Sequence, residues 1–91
     1  MRNSTNEPPP DAEALALQAL AATLMDERRA RRFLDLTGMD SEELRARACD
    51  RGLLAALLTF LEAHEPDLVE VAQTVGVKPE NLVSARQELE R

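Results

Sequence analysis

The stretch RGLLAALLTFLEA at 51–63 constrains this chain more than any other. At about 100° per residue, Leu53, Leu54, Leu57, Leu58, Phe60 and Leu61 cover an arc of about 160° if the stretch is helical. Ala55, Ala56 and Ala63 add small surface beyond that arc, and only Thr59 and Glu62 clearly want water. A helix this apolar is soluble only when other elements cover most of its sides, so the rest of the chain has to supply that cover. The composition says what the cover is made of. Ala and Leu abound, Trp and Tyr are missing and there are two Phe, which favours helix over sheet. With 91 residues the chain holds one small domain rather than two. The expected fold class is all-α, a compact bundle of five to six short helices around the apolar helix at about 51–63.

Local signals place the other helices. Residues 1–10, MRNSTNEPPP, contain no core former, and their triple proline prefers extended geometry, so they read as a disordered leader before a single helical domain at 11–91. Asp11 is an N-cap candidate for a first helix to about Met25, with Leu17, Leu20, Ala21 and Leu24 as its buried stripe. Leu15, Ala19 and Ala22 form a second, small-residue face fit for a close neighbour. A second helix over about Glu27–Thr37 buries Ala30, Phe33, Leu34 and Thr37 and stops at Gly38. Asp26 either caps it or merely bends a continuous helix; the sequence leaves both open.

MDSEEL at 39–44 carries a capping box, Asp40 with Glu43, and a hydrophobic staple, Met39 with Leu44, for a short helix over about 41–48. Asp50 caps the central helix, with Cys49 and Leu54 placed as a second staple, so Cys49 reads as a small buried apolar residue. A fifth helix starts at EPD, where Asp67 with Glu70 offers another capping box, presents Leu68, Val71, Ala72 and Val75, and ends at Gly76. Lys78-Pro79 opens a sixth, to about Glu90, with Leu82, Ala85 and Leu89 inward.

Charge narrows the function classes. The net charge is −6, which argues against a general binder of nucleic acid or anionic membranes. It is unevenly spread: residues 27–47 hold six Arg against five acids, whereas residues 62–91 hold three bases against seven acids. No stretch approaches the length of a membrane span, and the apolar run at 14–25 follows an acidic rather than a basic start, unlike a signal peptide. A cytoplasmic location is expected. One Cys rules out an internal disulfide, and one His with one Cys leaves little for zinc. His64 is expected as a C-cap of the central helix, where a cation is favoured; HEPDL lacks the second His of a zinc-protease helix. The carboxylates sit at helix starts, where capping explains them, so no acid–base pair stands out.

The segments RFLDLTGMDSEELRARA, GLLAALLTFL and EPDLVEVAQTVGVKPENLVSAR resemble a bacterial, chiefly alphaproteobacterial, family of small helical proteins classed as domain of unknown function 3572. The likeness covers about residues 12–90. It implies a helical fold and a bacterial cytoplasmic origin, and it brings no known activity and no functional residues.

Two features remain as candidate sites. ERRARR at 27–32 is the one dense positive run, and Arg28, Arg31 and Arg32 project within an arc of about 100° opposite Phe33 and Leu34, with Asp35 inside the same arc. This arc is the expected partner-binding face, for an acidic partner, against the alternative of a solvated face with local ion pairs. The second feature is VAQTVGVKPENLVSA at 71–85, whose spacing looks like a bacterial helix–turn–helix. Its second half, residues 77–91, has three bases against three acids, where a DNA reader needs cations, so an αα-hairpin is the simpler reading. The sequence has no glycine-rich phosphate loop, ligand cluster or nucleophile–base pair. The expectation is a non-enzymatic protein-interaction module without cofactors that binds another protein; the alternative is a DNA-binding regulator using about 67–90.

Overall fold

A computed structural model describes residues 11–91; the leader expected at 1–10 lies outside the described residues. Among the described residues six helices follow one another without a strand: α1 (Ala12–Leu24), α2 (Glu27–Thr37), α3 (Ser41–Ala46), α4 (Arg51–Glu62), α5 (Glu65–Val75) and α6 (Pro79–Leu89). Each start and stop has a local cause. Asp11, Asp26, Asp40 and Asp50 cap the first four helices, each carboxylate accepting amide protons that the first turn leaves unpaired. The Asp26 carboxylate accepts from Arg28 N–H at 3.0 Å and Arg29 N–H at 3.1 Å, so α1 and α2 are separate helices and not one bent helix. The Asp40–Glu43 capping box forms in both directions, at 2.8 Å and 3.1 Å. Gly38 and Gly76 end α2 and α5 in the left-handed region, at φ 73° and 89°, where a Cβ would be strained. At the start of α6 the Asn81 side chain accepts from the Lys78 N–H at 3.0 Å.

The core is where the apolar density of α4 places it. Leu54, Leu57, Leu58 and Leu61 are buried, joined by Phe33, Leu68, Val71 and Leu82. The α4 helix packs against α1, α5 and α6, and α1 against α2, α5 and α6, so α1 and α4 share the centre. Leu44 anchors α3, while Met39 packs half-buried against the same core.

Four local expectations are corrected. In α1 the buried side chains are Leu15, Ala16, Ala19, Leu20, Ala22 and Thr23, while Leu17, Ala21 and Leu24 are exposed. This helix is apolar nearly all round, so two faces competed for the interior. The small-residue face wins because alanines let helix backbones approach closely, and the Thr23 hydroxyl donates to the Ala19 carbonyl at 2.8 Å. Cys49 is exposed, not buried and not half of a staple. The reason is that α3 stops at Ala46, and the tight turn that follows, with Asp50 N–H bonded to Arg47 C=O at 2.9 Å, brings Ala48 rather than Cys49 to the core. His64 does not cap α4, whose C-cap is Ala63. It is the exposed, extended N-cap residue of α5, and its ring makes no capping bond; its backbone carbonyl accepts from Asp67 N–H at 2.9 Å. With His64 as N-cap, Asp67 falls at the third helical position, so an Asp67–Glu70 capping box does not form.

Candidate functional site

The α2 helix carries two different sets of arginines. Phe33 fixes its orientation: the ring is fully buried and meets Phe60 of α4 at 5.2 Å between centroids, tilted by 58°. Arg29, one turn before Phe33, is thereby carried into the interior. Its Nε donates to Asp67 Oδ1 at 2.9 Å and its Nη2 to Glu70, with Asp26 at 3.8 Å. Arg32 donates to the other oxygen of Asp67 and lays its guanidinium over the Phe60 ring at 5.3 Å. One buried carboxylate thus ties two arginines of α2 to α5.

The energetics of this network follow from burial. Desolvation alone pushes the Asp67 carboxyl up, but hydrogen bonds from Arg32 and Arg29 outweigh it and hold the group below its ordinary value. Desolvation likewise opposes the charge on Arg29, and its bonds to Asp67 and Glu70 restore it, leaving it above the usual arginine value. Asp26 is held below the ordinary range chiefly by the Arg29 backbone N–H at the helix start.

The three arginines that the sequence groups together therefore separate. Arg32 belongs to the internal network with its side chain half in solvent. Arg28 and Arg31 are exposed, and neither side chain has a hydrogen-bond or ion-pair partner among the described residues. They line a shallow depression with Glu27, Arg32 and Asp35. Arg29, which lies on the Phe33 side of α2 and outside their arc, is the buried one.

Beside the arginines lies an apolar groove. It is floored by Leu20, Ala30, Leu34 and Leu44, walled by Leu17 and Leu24 of α1, and has a volume of about 390 Å³. Leu17 and Leu24 remain 39% and 41% exposed on its edge. Arg45 of α3 also lines it, again with no ion pair among the described residues. The groove exists because α1 buries its alanine face and turns the leucine face that periodicity favoured toward α2 and α3.

The sequence model of a family described as protein of unknown function (DUF3572) matches residues 9–91. The chain belongs to that family. The match spans all six helices, both glycine stops and the α2 arginines. No curated protein and no solved structure matches the chain.

Other regions offer less chemistry. Among the described residues no group of three or more His, Cys, Asp or Glu side chains is placed to hold a metal ion. No helix among them is long and apolar enough to cross a membrane. A cavity of about 580 Å³ between the start of α1 and α6 is bordered by Arg51, whose guanidinium is already bonded to Glu13 at 2.8 Å and to the Glu88 carbonyl at 3.0 Å. In the α5–α6 hairpin, Arg86 is bonded to Glu62 of α4 and to Glu90, and the Glu62 carboxylate beside it raises its pKa. The inward face of α6 is used by the core through Leu82, Ala85 and Leu89.

Proposed function

We propose that this chain is a non-enzymatic helical interaction module, an adaptor or regulator of a bacterial, chiefly alphaproteobacterial, cytoplasm, and that it binds another protein through the α1–α2–α3 groove. One observation carries the reading: Leu17 and Leu24 stay exposed side by side along a groove with an apolar floor, whereas Leu36, the other exposed leucine among the described residues, stands apart from it. Solvated leucines in a row favour association because covering them removes apolar surface from water. Arg31 stays part of the surface, next to the groove rather than at its centre, while Arg28 lies farther round α2; Arg32 supports the face by its tie to α5. A DNA-reading role for α5–α6 has less support, since the outward α6 positions include Glu80 and Glu88 and its Arg86 is engaged within the chain.

The test uses the full chain as bait, with Leu17→Glu/Leu24→Glu as the groove variant and Leu36→Glu as the control. Leu36 is 68% exposed and lies away from the groove, in a depression with Ala56 and Thr59 of α4. The expected result is a partner kept by the parent and by the control and lost by the groove variant, with unchanged helical circular dichroism in all three. Retention of the same partner by the groove variant overturns the reading. A salt-sensitive mobility shift of mixed DNA at low salt would favour the α5–α6 alternative.

A further inference from the structure

We infer that the occupant of the groove is an acidic amphipathic helix of a separate protein, its apolar face on the floor and its carboxylates along Arg31 and Arg45. The inference rests on the interaction reading above and adds the chemistry of the partner.

Charge supplies the argument. Acids outnumber bases in this chain by 17 to 11, so most cations should find a carboxylate at home. Arg29, Arg32, Arg47, Arg51, Arg86 and Arg91 do. Among the described residues, the arginines left without an ion pair are Arg28, Arg31 and Arg45. Arg45 lines the groove itself. Arg31 lies about 60° around α2 from Leu34, a floor residue, whereas Arg28 lies about 120° from it and faces the depression with Glu27 and Asp35. Glu27 and Asp35 share this side of α2, yet neither reaches an arginine within ion-pair distance. Of the cations without an ion pair among the described residues, Arg28, Arg31, Arg45 and Lys78, two border the apolar groove: Arg45 in its lining and Arg31 beside its floor.

Shape agrees with a helix. Leu17, Ala21 and Leu24 repeat at i, i+4, i+7 along one wall, a rise of about 10 Å, which matches the two turns over which a docked helix presents its own i, i+3, i+4 and i+7 side chains. A second copy of this chain fits less well. Its acids lie largely on helices whose apolar faces are already buried, and two chains of charge −6 repel.

The test compares two synthetic helical peptides of about four turns, with the same leucines at i, i+3, i+4 and i+7. One carries Glu at the flanking positions and the other Lys. Fluorescence anisotropy with the full chain should give the Glu peptide a Kd at least about tenfold lower at low salt, as attraction replaces repulsion at two or three exposed sites. The ratio should shrink at high salt and in Arg28→Gln/Arg31→Gln/Arg45→Gln, whose thermal midpoint stays at the parent value. Leu17→Glu/Leu24→Glu should lose both peptides. Equal affinity for the two peptides, still lost in the leucine variant, overturns the acidic partner while leaving the groove as an interaction surface. Binding of neither peptide, or binding untouched by the leucine variant, overturns both. Self-association of the free chain in sedimentation velocity, abolished by the leucine variant, overturns the separate partner in favour of a second copy.

Discussion

Replacing Arg29 by Leu tests whether the α2–α5 link holds the fold together. The Arg29 side chain is 9% exposed and the Asp67 side chain 7%, so both charges are largely out of water. Removing one member of a buried pair costs about 3–5 kcal/mol when the survivor has nothing else. Here each survivor keeps something. Asp67 retains Arg32, and after the reciprocal Asp67→Leu change Arg29 retains Glu70 and Asp26, whose side chains are largely in solvent. Screening by that solvent weakens the remaining contacts without abolishing them, so each single change should cost about 2–3 kcal/mol. A domain of this size has a total stability on the order of 4–12 kcal/mol. With a urea slope of about 1–1.5 kcal/mol/M, the midpoint should fall by about 2 M. The double variant Arg29→Leu/Asp67→Leu leaves no uncompensated buried charge, so it should lose no more than either single one. Urea unfolding followed by circular dichroism measures all three. Single variants within about 0.5 kcal/mol of the parent, or a double variant equal to the sum, would refute the reasoning.

Three further outcomes are expected. Asp40→Ala should cost about 0.5–2 kcal/mol by leaving the Glu43 N–H unpaired, measured by the same urea curves. Arg28→Gln/Arg31→Gln should leave the thermal midpoint unchanged, whereas Arg32→Gln should lower stability by about 0.5–1 kcal/mol through its bond to Asp67 and its contact with Phe60. Acid should destabilise the chain partly through Asp67. Its folded pKa lies below its unfolded value near 3.8, so the unfolded state binds the proton first, and the stabilisation present above that value is lost as pH falls through the folded pKa. Asp67→Asn should therefore flatten the stability curve below about pH 4.

What the sequence made legible was local. The central helix, the caps Asp11, Asp40 and Asp50 and the two glycine stops each depend on residues within one or two turns, and they stand where periodicity and capping chemistry put them. Periodicity misplaces the buried face of α1 because Leu17 and Leu24 are larger than Ala16 and Ala19, and a stripe of large residues outweighs a face suited to close approach. Cys49 depended on where α3 ends, which a single turn decides. The helical period leaves Arg29 outside the arc of Arg28, Arg31 and Arg32, but its burial rests on Asp67, 38 residues away and beyond any local pattern. The groove was legible in its parts and not as a whole. Periodicity assigns Leu17, Leu24, Ala30 and Leu34 to the core, and the apolar surface they form is real, but three helices meet there with none of the described residues laid over them.

The account stands on the claim that the α1–α2–α3 groove is where this protein meets its partner. The most direct measurement is backbone chemical-shift mapping of the isotope-labelled full chain as the captured partner is added. Shifts concentrated at Leu17, Ala21, Leu24, Leu34, Arg45 and Ala48 are the result the account predicts. Shifts confined to the outward face of α5 and α6, or to the depression around Leu36, would contradict it.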